Sequence, residues 1–214
     1  MARPFSVGVY RRAADCAGPV NREPSVAALI LAAGESRRMG SPKPLLPYRG
    51  DTFLGTLCTV FRQWCDPVIV VLGARAEEVR AHTPGHATFV VNENYRSGQT
   101  SSMQCGLRAV PAACEGVLFS LVDHPAIAAA TIAALLAGPR PRLRVPRFQA
   151  RRGHPIWIAR ELFPEFLALP EDGAARDVVH RHAAETEYLD VDDPGILIDV
   201  DDPEAYRALV GAGV

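Results

Sequence analysis

The segment Leu31 to Lys43 (LAAGESRRMGSPK) contains the residue types that bind a phosphate group. It follows an apolar run and holds glycines, serines and cations together: Gly34, Gly40, Ser36, Ser41, Arg37, Arg38 and Lys43. Glycines let the backbone approach an anion closely, exposed N–H groups donate to it, and Arg and Lys neutralise its charge. The segment fits neither the GxxxxGK[ST] nor the GxGxxG pattern, which disfavours the two common nucleotide-binding loops. We therefore predict an anion-binding loop of another type.

A carboxylate follows the apolar run Gly116–Val122. This run predicts a central strand, so Asp123 is expected at the carboxyl end of that strand, where open α/β sheets bind ligands. A charge at that place needs a partner. The alternative role of Asp123 is to begin a turn before Pro125.

The C-terminal segment Ile198–Glu204 (IDVDDPE) is rich in aspartate. Pro203 and Glu204 form a helix start signal, so Asp201 and Asp202 are expected to cap the last helix. Residues 190–204 as a whole also fit a solvated acidic face.

Small polar residues open the predicted helix at 100–110. Thr100, Ser101 and Ser102 follow Gly98, and their hydroxyl oxygens are suited to cap the helix even without a ligand. The same hydroxyls and the backbone near Gly98 are also suited to bind a nucleotide base.

Short apolar runs alternate with helix-compatible stretches from Val26 onwards, which is typical of a mostly parallel sheet with crossover helices. The predicted strands are 26–31, 67–72, 88–91, 116–122 and 142–145, and the predicted helices are 52–64, 75–81, 100–110 and 128–137. After Pro146 we expect a hairpin or bent strand pair at 147–159, helices near 161–168 and 174–183, and a final strand, turn and helix that decorate the sheet. Residues 1–24 lack a steady period and predict an N-terminal tail, and residues 25–214 predict one α/β domain.

Composition excludes several classes of protein. The chain has 214 residues, of which 48% are hydrophobic and 22% charged, and its net charge of -1 provides no global basic field for nucleic acid or anionic lipid. The longest apolar stretch, Val26–Ala33, is far short of the ~20 residues of a membrane span. Five cysteines without a CxxC pair predict reduced thiols, and the N-terminus lacks a secretory pattern, so we expect a cytoplasmic protein.

The order LAAG-x3-RMG-x2-K in Leu31–Lys43 resembles the signature loop of the MobA-like nucleotidyltransferases. The resemblance extends from about Ser25 to Ala208 through four motifs in order. It implies a Rossmann-like three-layer α/β/α fold of the nucleotide-diphospho-sugar transferase type, and transfer of a nucleotide from an NTP with release of pyrophosphate. The metal implied is Mg²⁺, with Mn²⁺ as the alternative.

The resemblance also assigns roles to individual residues. It implies that Arg38 and Lys43 stabilise phosphate charge, that Asp123 is catalytic and holds the metal, and that Asp199 is the second metal ligand. It implies that the nucleotide is bound by Leu31, Ala32, Ala33, Gly34, Gly40, Gly98, Ser101, Ser102 and Gly106. His124 is expected to orient the substrate or to line the pocket.

Two segments are similar to the molybdenum cofactor cytidylyltransferase branch of the family. RRGHPIWI (151–158) resembles its G-H-P motif, and EDGAARDVV (171–179) resembles a second motif but lacks the first glycine. His154, Arg151, Arg152 and Arg176 are therefore candidates to hold an acceptor phosphate or an anionic pterin. Ala33, where the guanylyl branch has glycine, favours CTP over GTP.

The function predicted is a metal-dependent cytidylyltransferase that joins CTP to a phosphorylated acceptor, with molybdopterin favoured. A molybdoenzyme or its maturation factor is a candidate partner, and neither nucleic acid nor membrane is expected. One alternative is a sugar- or alcohol-phosphate nucleotidyltransferase, and another is a non-catalytic nucleotide- or pterin-binding accessory protein. A panel of acceptors distinguishes the first, and nucleotide binding without pyrophosphate release would indicate the second.

Overall fold

The structure is a computed structural model that describes residues 25–83, 87–170 and 172–211. The expected tail, residues 1–24, lies outside the described residues, so the domain boundary at residue 25 stays a prediction.

The predicted strands lie close to their predicted positions, and two short strands, at 47–48 and 51–52, were not predicted. They are β1 (Ser25–Ala32), β2 (Pro47–Tyr48), β3 (Asp51–Thr52), β4 (Val68–Leu72), β5 (Thr88–Val91), β6 (Cys114–Leu121), β7 (Leu143–Phe148), β8 (Arg151–Arg152), β9 (Ile156–Ala159) and β10 (Glu187–Asp190). The α-helices are α1 (Phe53–Phe61), α2 (Ala76–Ala81), α3 (Gln99–Ala109), α4 (Ala129–Leu136), α5 (Phe163–Leu167), α6 (Ala175–Arg181) and α7 (Pro203–Gly211). Short 3-10 turns occupy Arg37–Met39, Lys43–Leu45, Tyr95–Ser97, Arg160–Leu162 and Pro194–Leu197.

The main sheet has the strand order β10-β7-β9-β6-β1-β4-β5, with β8 paired to β7. The pairs of β1 with β4 and β6, of β4 with β5, and of β10 with β7 are parallel. The predicted mostly parallel sheet is therefore confirmed. Since β1, β4 and β6 run in one direction, their carboxyl ends lie at one edge, where such sheets bind ligands.

Helices cover both faces of the sheet. Alternate residues of β1 point to opposite sides, so Ala28 and Ile30 belong to one buried cluster and Leu29 to another. The first cluster contains residues of α1, α4 and α7, and the second contains residues of α3, α5 and α6. This arrangement is the three-layer α/β/α fold expected from the resemblance.

The segment after Pro146 does more than decorate the sheet, and that expectation is wrong. Strand β9 pairs antiparallel with β6 on one side and β7 on the other, so it is an interior strand. Both of its faces are apolar, because Trp157 packs into one core cluster and Ile158 into the other. Burial on both faces is what an interior position requires.

No helix within the described ranges 25–83, 87–170 and 172–211 is long and apolar enough to cross a bilayer.

Candidate active site

The predicted anion-binding loop begins where β1 ends and curls over the carboxyl edge of the sheet. Ser36 and Gly40 both have left-handed backbone conformations, with φ of 54° and 71°, and they flank the 3-10 turn Arg37–Met39. The Ser36 hydroxyl accepts a hydrogen bond from the Lys43 backbone N–H at 2.9 Å. This bond closes the loop and brings the Lys43 side chain back over the sheet.

A cavity of about 330 Å³ lies under this loop. The predicted residues that line it are Leu31, Ala32, Ala33, Gly34, Arg38, Lys43, Gly98, Ser102 and Asp123. Gly40, Ser101, Gly106, His154 and Asp199 are not among its lining residues. The structure thus brings nine of the fourteen predicted site residues to one cavity, and the remaining five have other surroundings.

Two of the three cationic side chains of the loop, Arg38 and Lys43, share one carboxylate. Lys43 Nζ donates to Asp201 Oδ1 at 2.7 Å and lies 3.3 Å from Asp123 Oδ2, and Arg38 contacts Asp201 Oδ2 at 2.9 Å. The hydrogen bond from Lys43 lowers the pKa of Asp201 below its ordinary value. Asp201 therefore pairs with both Lys43 and Arg38.

Asp201 therefore corrects an expectation. Asp202 alone caps the last helix, accepting from the backbone N–H groups of Glu204 and Ala205, while Asp201 lies in the site. The sequence contained a signal for this, because side chains two residues apart in an extended segment share a face. Val200 is fully buried, so Asp199 and Asp201 on either side of it project the opposite way.

Asp123, His124 and Asp199 form a cluster suited to a divalent cation. One donor atom from each residue lies within 4.8 Å of the other two. The backbone holds the two segments together, because Val200 N–H donates to the Asp123 carbonyl oxygen at 2.9 Å. Partial burial, followed by the negative charges of Asp123 and Asp201, raises the pKa of Asp199. A cation would relieve this accumulation of negative charge.

The cluster also contains a buried oxygen that needs a partner. Asp123 Oδ1 is buried and has no hydrogen bond within the described part of the chain. Such an atom ordinarily costs ~1–3 kcal/mol, so it indicates a site for a ligand or ion. Carboxylate oxygens are the ligands that Mg²⁺ and Mn²⁺ accept, and the residues present fit the implied metal.

The N-terminus of α3 is organised by a residue that sequence reasoning missed. Asn92, buried just after β5, donates through Nδ2 to Ser101 Oγ at 2.9 Å and to Ser102 Oγ at 3.0 Å. Ser101 in turn donates to the carbonyl oxygens of Asn94 and Gly98, so it is engaged within the loop, whereas Ser102 faces the cavity. These hydrogen bonds join residues nine and ten positions apart in the chain, and no local sequence pattern around Asn92 indicates them.

Gly106 packs α3 onto the sheet. A Cβ atom at this position would collide with Leu29 Cδ1 and lie 2.7 Å from Val71 Cγ2. Gly34 differs, because a Cβ atom there would meet nothing within 4 Å.

We expect Gly106→Ala to lower the free energy of unfolding by about 1–3 kcal/mol, because overpacking outweighs the better helix propensity of alanine. Gly34→Ala is the matched control and should leave the melting temperature unchanged. Thermal unfolding of both variants measures this. Equal melting temperatures for the two variants would contradict the packing role of Gly106.

His154 is half-buried and lies beside the cluster of Asp123, His124 and Asp199. Its ring lies 4.7 Å from the His124 ring and 5.7 Å from the Phe119 ring, measured between centroids. Burial, with a smaller contribution from His124, lowers the pKa of His154 to about 3, so the imidazole is neutral at pH 7. The neutral ring can therefore make a hydrogen bond to a bound molecule but cannot supply a positive charge.

A second cavity of about 280 Å³ adjoins the first, since Gln99 and Leu121 line both. Its walls include His154 together with two of the arginines expected on the acceptor side, Arg152 and Arg176, whereas Arg151 is not among its lining residues. Two cationic side chains at the rim of an apolar cavity suit a planar anionic molecule.

Comparison with known proteins agrees with this geometry. The model of the family described as MobA-like NTP transferase domain matches residues 28–186. The nicotine blue oxidoreductase of Paenarthrobacter nicotinovorans is 35% identical over 201 residues, which cover 87% of this chain and 97% of that protein. The molybdenum cofactor cytidylyltransferase of Escherichia coli (strain K12) is 24% identical over 180 residues, covering 83% of this chain and 92% of that protein.

A solved structure is also similar to this chain over most of its length. The Rv0371c protein of Mycobacterium tuberculosis H37Rv, described in complex with manganese, superposes with a TM-score of 0.75 at 32% identity and covers 88% of this chain and 99% of its own.

Proposed function

The chain belongs to the MobA-like NTP transferase family and is an enzyme of the nucleotidyltransferase class, and on that premise we propose that it is a metal-dependent cytidylyltransferase. The substrates proposed are CTP and a phosphorylated acceptor, with molybdopterin favoured. One observation carries the proposal: Lys43 Nζ, in the glycine-rich loop, lies 3.3 Å from Asp123 Oδ2, in the metal cluster. The phosphates of an NTP are bound by cationic side chains and by a metal ion together. Lys43 would supply the cation and Asp123 the metal ligand, and their side chains are in contact.

The reaction is a displacement at phosphorus. An oxygen of the acceptor phosphate attacks the α-phosphorus of CTP and forms a new P–O bond. The bond from the α-phosphorus to the bridging oxygen breaks, and pyrophosphate leaves with the electron pair. A phosphate oxygen is already a nucleophile, so no side chain has to remove a proton.

The side chains of this chain bind and orient the reacting groups. Lys43 and Arg38 stabilise the charge that grows on the α-phosphate and on the leaving pyrophosphate. Asp123 and Asp199 would hold the divalent cation, which supplies Lewis-acid stabilisation of the same charge. The cavity between Ala33, Gly98 and Ser102 would hold the nucleoside.

The second cavity supports an anionic, ring-shaped acceptor. Arg152 and Arg176 can pair with phosphate or carboxylate oxygens, and Met103 and Phe166 provide apolar walls for a planar ring. Because the two cavities share Gln99 and Leu121, an acceptor bound in the second cavity would lie next to the nucleotide bound in the first.

Selective stabilisation by nucleotides tests the proposal. Thermal unfolding is measured with Mg²⁺ or Mn²⁺ and each of CTP, GTP, ATP and UTP. Ligand at a hundredfold its dissociation constant adds ~2.7 kcal/mol, which is roughly 5–10 °C for a chain of this size. The largest shift should occur with CTP. A larger shift with GTP would overturn the inference from Ala33, and no shift with any nucleotide would contradict the nucleotide site.

A second reaction is suggested by the name of one relative. The 35% identical protein is called an oxidoreductase, and hydride transfer would require a nicotinamide or similar donor. Incubation with NADH or NADPH and a redox-active dye tests this alternative. We expect no consumption of either reduced nucleotide.

Asp201 should compete with the nucleotide for the loop cations. Removing its charge with Asp201→Asn frees Lys43 and Arg38, so CTP measured in EDTA should bind about 2- to 5-fold more tightly, as expected for a partly exposed ion pair. Asp202→Asn, which keeps a helix cap, is the matched control and should not change the affinity. Isothermal titration calorimetry measures both, and weaker binding by Asp201→Asn would show that Asp201 supports the bound state instead.

A further inference from the structure

His124 lies beside the two metal-site aspartates, and the reaction described above gives it no role. It follows Asp123 at the end of β6, and only 8% of the residue is exposed. We propose that His124 is a third protein ligand of the cation held by Asp123 and Asp199, and that its nitrogen makes the site prefer first-row transition-metal ions to Mg²⁺. The inference rests on the proposed function only in taking the two aspartates as metal ligands.

The distances fit a shared ion. His124 Nε2 lies 4.0 Å from Asp123 Oδ1, which is too far for a hydrogen bond. Two ligands at ~2.1 Å from one ion are themselves roughly 3.0–4.2 Å apart, depending on the angle between them. The gap between the nitrogen and the oxygen is therefore a distance that an ion spans.

Unpartnered atoms on both residues support the same conclusion. Asp123 Oδ1 and His124 Nδ1 are each buried without a hydrogen-bond partner among the described residues. A histidine kept in a core for structural reasons ordinarily satisfies its ring nitrogens, because leaving one unpaired costs ~1–3 kcal/mol. His124 Nδ1 is a buried ring nitrogen next to two carboxylates, unpaired among the residues that the structure describes, and it indicates a metal ligand more strongly than a structural role.

The ring of His124 is held in place by its neighbours. His154 packs against it with the ring planes inclined at 44°, and His154 in turn contacts the Phe119 ring. A metal ligand held by packing loses little conformational entropy on binding. His154 is therefore a positioning residue for His124.

The chemistry of the donor set predicts the metal preference. Mg²⁺ is a hard ion that takes oxygen ligands and retains several waters, whereas imidazole nitrogen suits transition-metal ions. Two carboxylates alone would serve Mg²⁺ well. The addition of one imidazole shifts the preference toward ions from Mn²⁺ to Zn²⁺.

Pulsed electron paramagnetic resonance of Mn²⁺ on the full chain, without nucleotide, tests the inference directly. Bound Mn²⁺ should show the ¹⁴N modulation of a coordinated imidazole, and protein grown with ¹⁵N-histidine should show the corresponding ¹⁵N frequencies. This measurement needs no variant, so it does not depend on how a mutant folds. Bound Mn²⁺ without nitrogen modulation would overturn the inference.

Metal titrations of variants provide a second test of the role of His124. His124→Gln should weaken Mn²⁺ binding about 10- to 100-fold while Mg²⁺ binding changes less than about threefold. His82→Gln, at an exposed site at the end of α2, is the matched control and should change neither affinity. An unchanged ratio of Mn²⁺ to Mg²⁺ affinity in His124→Gln would also overturn the inference.

The two proposals fail in different ways. If Asp123→Asn retains full Mn²⁺ affinity, the metal site of the proposed function is wrong and the role of His124 falls with it. If Asp123→Asn loses Mn²⁺ binding but native protein shows no nitrogen ligand, the metal site stands and only the role of His124 is wrong.

Discussion

Replacement of Asp123 by asparagine should lower the rate of nucleotidyl transfer about 10²- to 10⁴-fold, because metal stabilisation of the transition state is worth several kcal/mol and each 1.36 kcal/mol is tenfold. Asparagine keeps the size of the side chain but removes the charge that attracts the cation. The folded state should tolerate the change. The charge of Asp123 contributes to the raised pKa of Asp199, so its removal relieves repulsion within the metal cluster.

Steady-state kinetics and thermal unfolding with and without Mn²⁺ check this prediction. The melting temperature without metal should change by no more than a few degrees, and the stabilisation by Mn²⁺ should disappear. Asp202→Asn removes a charge from the same acidic segment and keeps the helix cap, so it should retain the native rate. A native rate in Asp123→Asn would contradict the assignment of Asp123 to the metal.

Lys43→Met should lower turnover about 10²- to 10³-fold, a loss typical of one charge-stabilising donor in an enzyme site. Methionine fills nearly the same space, so packing around the loop is kept. The loss should appear mainly in kcat, because the charge on the phosphates grows as the α-phosphorus reacts. The KM for CTP should rise by a smaller factor.

A loss of stability in Lys43→Met has to be distinguished from a loss of catalysis. Lys43 is largely buried and pairs with Asp201 and Asp123, so its loss should reduce the free energy of unfolding by about 1–2 kcal/mol. Arg62→Ala removes one positive charge from an exposed position at the end of α1 and should leave turnover unchanged. Pyrophosphate release at the native rate by Lys43→Met would exclude a catalytic role for Lys43.

Local patterns in the sequence were enough to predict the framework of the site. The apolar runs before Gly34 and Asp123 predicted two strands of a mostly parallel sheet. The structure makes these strands parallel neighbours, so their carboxyl ends share an edge. The glycine-rich loop and Asp123 therefore lie at the same edge, and Lys43 Nζ lies 3.3 Å from Asp123 Oδ2.

Features that depend on distant pairing were not predictable in the same way. Strand β9 lies between β6 and β7. The apolar pattern of Ile156–Ala159 predicts a strand but does not indicate which strands are its neighbours. The stacking of His154 on His124 follows from that insertion, since it brings residues 30 positions apart in the chain into contact. The prediction that Asp201 caps the last helix was wrong for a different reason. The helix start signal at Pro203 was given more weight than the alternation of side chains around the buried Val200.

The distribution of radioactive label from CTP tests nucleotidyl transfer most directly. The full chain is incubated with Mn²⁺, molybdopterin and CTP labelled at either the α- or the γ-phosphate. The proposed reaction predicts that the α-label enters a new product containing the acceptor and that the γ-label is released as pyrophosphate, in equal amounts. Release of the α-label only as CMP, or of the γ-label as orthophosphate, would show hydrolysis in place of transfer and would contradict the account.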